Sequence, residues 1–170
     1  MDQQPNRPSP AAPLVDRIAL AVATLGPVGR LPWAPGTWGS AVALLIAPWV
    51  FLPLALPARL GLLALVVLVG TWASGRAERV LGVDDPGCVV VDELLGQWTA
   101  FAPFHLAGWT GAMPWELLAL FGLFRAFDIL KPWPIRAVDK NVPGGLGVML
   151  DDLLAGLGAA AAYALLRPFF

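Results

Sequence analysis

Nine of the 12 acidic residues in this 170-residue chain fall between Asp84 and Asp152: Asp84, Asp85, Asp92, Glu93, Glu116, Asp128, Asp139, Asp151 and Asp152. Several abut long apolar runs. A carboxylate at membrane depth costs a few kcal/mol on insertion scales, so it persists when it pairs with a cation, binds a metal or lines a wet cavity. Acids in doublets beside apolar segments suggest a divalent cation. Mg²⁺ takes oxygen ligands and needs only one or two protein carboxylates plus a substrate phosphate.

Three segments carry these acids. In VVVDELLGQW, Asp92 and Glu93 open an apolar helix. The helix dipole accounts for one acid in a first turn, and two are less readily explained that way. In FRAFDILKPWPIRAVDKN, Arg125, Asp128 and Lys131 recur at i, i+3 and i+6, Pro132 and Pro134 stop the helix, and Arg136, Asp139 and Lys140 follow. This set is either a group of helix-end salt bridges at a membrane interface or a phosphate-binding cluster, with arginine giving bidentate contact. In GGLGVMLDDLLAG, Gly144, Gly145 and Gly147 precede a helix bearing Asp151 and Asp152. Upstream, APGTWGS places Gly36, Thr37, Gly39 and Ser40 at a helix start. There, free amides suit an anion, and capping by Thr37 or Ser40 is the simpler account.

Other phosphate chemistries are excluded. Cys88 is followed by Val89, Val90, Val91, Asp92 and Glu93, so no arginine stands ready to hold a phosphate on a cysteine nucleophile. His105 is the only histidine and reads as structural or interfacial. No Asp-x-Asp nucleophile motif, Walker loop or Asp-Gly…Ala-Arg transferase motif occurs. Carboxylates and a metal remain.

The elements that must position these residues are apolar helices. The chain is 58% hydrophobic and only 14% charged, against roughly 25% charged in ordinary soluble domains, and its mean hydropathy is +0.70. A net charge of -1 without a basic run excludes nucleic acid as a partner, and a single cysteine excludes a disulfide scaffold. Charge-free stretches run over 40–58, 60–75 and 94–115, and 153–166 is apolar up to Arg167. About 20 residues cross a bilayer. These runs predict an all-α, compact polytopic membrane bundle of about five to seven helices, three or four of them membrane-embedded. Residues 1–13, with four prolines, read as a disordered tail, and 14–170 as the helical membrane domain. Residues 18–25 read as an interfacial helix. Trp98, Trp109, Trp115 and Trp133 are expected to hold the site at headgroup level, with plain anchoring the simpler account for most.

The combination of PGTWGS, VVVDELLGQW, FRAFDILKPWPI and GGLGVMLDDLLAG resembles the phosphatidylglycerophosphatase A family in order, spacing and flanks, from about Leu31 to the C-terminus. The resemblance implies an all-helical, Mg²⁺-dependent enzyme of phospholipid synthesis in the bacterial inner membrane. Such an enzyme removes the terminal phosphate of phosphatidylglycerophosphate, a phospholipid substrate drawn from the membrane. The matching positions are Thr37, Ser40, Asp92, Glu93, Arg125, Asp128, Lys131, Arg136, Asp139, Asp151 and Asp152. Within them we expect Asp92, Glu93, Asp128, Asp151 and Asp152 to hold the metal. Arg125, Lys131 and Arg136, with Thr37 and Ser40, are expected to bind phosphate, and Asp128 or Asp139 to act as base, so that Asp92, Glu93, Asp128 and Asp139 form the catalytic set. The site is expected at the cytoplasmic face of a multi-pass protein with no obligate protein partner. A small cation-binding or transport protein is the alternative reading of the same acids.

Overall fold

A computed structural model describes residues 12–105 and 114–169. Most of the tail assigned to 1–13, together with Trp109, the middle of the 94–115 run and the side chain of His105, lies outside the described residues. Seven α-helices, and no strand among the described residues, follow in order: α1 (Leu14–Ala23), α2 (Pro35–Val50), α3 (Leu56–Leu81), α4 (Val91–Ala100), α5 (Pro114–Leu130), α6 (Ile135–Asn141) and α7 (Gly144–Leu166).

Prolines set the boundaries. Pro35 opens α2 and Pro57 lies in the first turn of α3, positions where a missing N–H costs nothing. Pro132 and Pro134 follow the end of α5, as their spacing predicts. Gly82 closes α3 with φ 66°, the left-handed conformation glycine adopts freely. The apolar run over 40–58 is not one span. Pro48 removes a helical N–H in the last turn of α2, the chain turns at residues 51–54, and α3 begins afresh. Among the described residues two helices, α3 and α7, are long and apolar enough to cross a membrane, and the middle of the 94–115 run lies outside them.

The central helix is α7, which packs against α3, α4, α5 and α6. Small residues let it approach closely. A Cβ on Gly96 would lie 2.7 Å from the Asp152 carbonyl, and one on Gly156 would lie 2.8 Å from Thr99 Cβ and overlap the Gly96 carbonyl. That contact sets the first turn of α4 beside the second and third turns of α7. The surrounding core is apolar, built on Leu20, Phe51, Leu95, Phe101, Leu120, Phe124 and Met149. The segment expected to lie at the interface forms α1. There Asp16 pairs with Arg76 of α3, and Ala19, Leu20 and Ala23 are buried. Trp98 departs from expectation. It is buried, stacks on Phe51 at 5.2 Å between ring centroids, and donates from Nε1 to the Ala43 carbonyl at 3.0 Å, so it belongs to the core rather than the headgroup layer.

Candidate active site

Asp92 and Glu93 occupy the first turn of α4, at the start of an apolar helix as expected. Oxygen atoms of Asp92, Glu93 and Asp152 lie within 4.8 Å of one another. Asp92 Oδ1, Glu93 Oε2 and Asp152 Oδ2 are each buried without a hydrogen-bond partner. Buried oxygens of this kind cost on the order of 1–3 kcal/mol each, so three in one place could together hold a metal ion. Burial pushes the Asp92 carboxyl above its ordinary range, and burial followed by the charge of Asp92 pushes Glu93 well above its own. An all-oxygen, negatively charged donor set suits a hard divalent cation.

One cation borders the cluster. Arg125 Nη1 of α5 lies 3.8 Å from Glu93 Oε1 and 2.7 Å from Asp128 Oδ2, and donates to Ser40 Oγ at 3.3 Å. Ser40 in turn donates to the Gly36 carbonyl at 2.9 Å, one turn back in α2. It is therefore not a helix cap. The amides of Thr37 and Trp38 already bond to the Ala34 carbonyl, so the start of α2 offers an anion fewer free donors than its composition promises. Thr37 is half-buried in that first turn. Gly36 is required by the site itself, because a Cβ there would overlap Glu93 Oε1 and lie 3.3 Å from Arg125 Nη1.

The Asp151–Asp152 doublet divides. Asp152 faces Asp92 and Glu93, whereas Asp151 Oδ2 accepts from Lys131 Nζ, which also donates to Asp139 Oδ1 at 2.6 Å. Asp151 Oδ1 accepts the Asp152 amide at 3.0 Å. Burial alone would lower the Lys131 ammonium, but its hydrogen bonds to Asp139 and Asp151 outweigh it and hold the pKa above the usual lysine value. Of the five expected metal ligands, three converge. Asp128 is paired with Arg125, and Asp151 with Lys131. Arg136, on α6, is exposed and has no ion pair among the described residues.

Two residues outside the expected set belong here. Asp85, in the turn after α3, is pushed up first by burial, and it faces Lys131, Asp139 and Asp128. With Glu78, Asp84, Asp139 and Asp151 it lines a cavity of about 220 Å³. The acid doublet before Pro86-Gly87 was the available signal. Gln97 is fully buried one turn after Glu93, with both amide atoms unpartnered; its place in the GQW sequence gave no hint of this.

The family described as phosphatidylglycerophosphatase A matches residues 21–167, a range that contains every residue of the cluster. The chain belongs to the phosphatidylglycerophosphatase A family. It is 37% identical over 134 residues to the phosphatidylglycerophosphatase A of Escherichia coli K12, covering 78% of this chain and 73% of the relative. It is 36% identical over 154 residues to the Haemophilus influenzae protein of the same name, covering 91% of each. A Bacteroides thetaiotaomicron protein, provisionally named a phosphatidylinositol-3-phosphatase, is 39% identical over 135 residues, or 76% of this chain and 80% of that one. No solved structure matches the chain. Membership of the family makes this chain a phosphatase, and its two long apolar helices agree with a place in the membrane.

Proposed function

We propose that this chain hydrolyses the terminal phosphate monoester of phosphatidylglycerophosphate, releasing phosphatidylglycerol and inorganic phosphate at the cytoplasmic face of a bacterial inner membrane. The observation that carries the reading is the convergence of three buried, unpartnered carboxylate oxygens beside a single arginine. Asp92, Glu93 and Asp152 would hold Mg²⁺, which when bound supplies charge neutralisation and a more acidic water.

The remaining steps fall to the chain's own residues. Arg125, fixed by Asp128 and Ser40, turns its guanidinium toward the cluster and binds phosphate oxygens, stabilising the charge that spreads over them as the ester breaks. A water oxygen forms the new bond to phosphorus, the ester P–O bond breaks, and the leaving glycerol oxygen takes up a proton. Asp128 lies at the rim of the cluster and accepts the proton of the attacking water. Asp139 is bound to Lys131 on the Asp151 side and does not touch Arg125 among the described contacts. Lys131, bound to Asp139 and Asp151, offsets negative charge beside the cluster.

The test is phosphate release by the purified chain in detergent micelles, with phosphatidylglycerophosphate and phosphatidylinositol 3-phosphate as parallel substrates, each with Mg²⁺ or EDTA. The reading expects Mg²⁺-dependent release from the first, at least about tenfold faster than from the second. Faster release from the phosphoinositide would move the substrate to that of the Bacteroides relative's name. No release from either would favour the cation-binding alternative.

A further inference from the structure

Gln97 is fully buried, and neither its Oε1 nor its Nε2 has a hydrogen-bond partner. An amide so placed is costly, because its donor and its acceptor have both left water without exchange. Packing alone does not ask for it. Leu95, Trp98 and Ala100 of the same helix are buried apolar residues, and a side chain of their kind would fill the position at less cost.

The place of Gln97 on α4 ties it to Glu93. Four residues on, it stands about 40° round the helix and about 6 Å along it, so the two share a face. Because Cα–Cβ bonds tilt toward a helix N-terminus, the Gln97 side chain leans back toward Glu93. Helix α2 lies against that side of Glu93. A Cβ on Gly36 would overlap Glu93 Oε1, and one on Gly39 would lie 3.4 Å from Glu93 Cβ. Arg125 enters between the same two helices, with Nη1 3.3 Å from Ser40 Oγ of α2 and 3.8 Å from Glu93 Oε1 of α4. Its Nε is buried without a partner.

The unpartnered atoms of these three residues match in kind. Arg125 Nε and Gln97 Nε2 are donors, whereas Glu93 Oε2 and Gln97 Oε1 are acceptors. One arrangement satisfies all four: Arg125 Nε donates to Gln97 Oε1, and Gln97 Nε2 donates to Glu93 Oε2. Carboxylates that ligate a metal are commonly held by such outer donors, which fix their orientation.

We propose that Gln97 is a positioning residue that bridges the cation-holding Glu93 and the phosphate-holding Arg125. Neither bond is made in this structure; the bridge forms as the two side chains turn toward their ligands. Holding one ligand then favours holding the other, and the coupling is reciprocal. The roles given to Glu93 and Arg125 rest on the phosphatase reading.

The experiment uses the purified full chain in detergent micelles. Mg²⁺ alone is titrated by its effect on melting temperature, and inorganic phosphate at saturating Mg²⁺ by calorimetry. Gln97→Met keeps the size of the side chain and removes both amide atoms. It should weaken Mg²⁺ and phosphate each about tenfold, while the melting temperature in EDTA stays level or rises. Gln97→Asn keeps an amide but falls one methylene short of spanning both partners, and it should lose nearly as much. If the Met variant does not fold, the Asn variant decides. Affinities retained in either variant would make Gln97 a core residue served by buried water, and the proposal fails; failure of both variants to fold has the same consequence. If the unaltered chain binds neither Mg²⁺ nor phosphate, the phosphatase reading has failed and the bridge falls with it. If it binds both and the substitutions change nothing, the bridge alone falls.

Discussion

At the end of the bundle away from the carboxylates, Glu116 accepts a hydrogen bond from Tyr163 Oη at 3.0 Å and lies 3.6 Å from Arg167 Nε. Nearby in the chain's layout, at the start of α3, buried Arg59 donates to the carbonyls of Leu52 and Leu54 and lies over the Phe51 ring, 5.4 Å from its centroid. At the other end, Asp92, Glu93 and Asp152 crowd around each other with one guanidinium at their edge and an unpartnered oxygen apiece. Both ends bury ionisable side chains. One end meets most of its polar atoms from within the chain, Arg59 Nη1 excepted, and so holds helix ends together. The other leaves negative charge uncompensated, which weakens the fold and creates demand for a ligand.

The sharpest way to break this contrast is to neutralise the open end. Asp92→Asn and Asp152→Asn should each cut phosphate release by about 100-fold or more. Measured in EDTA, the same variants should melt at a higher temperature than the unaltered chain, because a like charge has left a buried cluster. Mg²⁺ at about 100 times its dissociation constant adds about 2.7 kcal/mol to the stability of a protein that binds it only when folded. That is a rise of roughly 5–10 °C in a domain of this size, and Asp152→Asn should abolish it. A melting temperature indifferent to Mg²⁺ in the unaltered chain would show that the cluster holds no cation.

Much of this site was legible in the chain, and the remainder was lost for definite reasons. The placement of Asp92 and Glu93 in a first turn agrees with the apolar run they open and with the helix dipole, and the end of α5 follows from Pro132 and Pro134. The division of labour between Asp151 and Asp152 does not follow. Adjacent residues on a helix point about 100° apart, and the direction that faces α4 is set by the Gly96–Gly156 contact, which no local pattern announces. Trp98 shows the same limit. An aromatic in an apolar helix suits a headgroup layer or a core equally, and the Ala43 carbonyl, 55 residues away, decides for the core. The run over 40–58 shows it for the helices: it is long enough in composition to span but is broken by its turn. Asp85 joins the site only through the fold of the loop that follows α3.

Two arginines give the next largest effect and the cleanest comparison of the ends. Arg125→Ala should lower phosphate release about 100-fold with the melting temperature little changed, since it removes the charge that meets the phosphate. Arg59→Ala should do the reverse. It strips the donors from two carbonyls and empties a buried position, at a cost of about 2 kcal/mol, or some 4–8 °C. The specific activity of the folded fraction should stay within about twofold. Equal effects of the two substitutions on activity would dissolve the distinction between the ends.

Lys131 gives the smallest effect and the finest discrimination, because it stands between the two kinds of behaviour. Its ammonium is spent on Asp139 and Asp151, like a charge at the closed end, yet Asp151 is bonded to the amide of Asp152 in the open one. If Lys131 mainly offsets the charge of Asp151, Lys131→Met leaves that carboxylate uncompensated beside the cluster. Mg²⁺ should then bind several-fold more tightly while activity falls no more than about tenfold. If Lys131 instead grips the substrate phosphate, the same change raises KM for the lipid and leaves Mg²⁺ affinity alone. Titrating Mg²⁺ by its effect on melting temperature, beside KM measured at saturating Mg²⁺, separates the two. The ion pairs to Asp139 and Asp151 favour the first outcome, since two carboxylates already offset the charge of the ammonium and leave it one N–H to offer a phosphate.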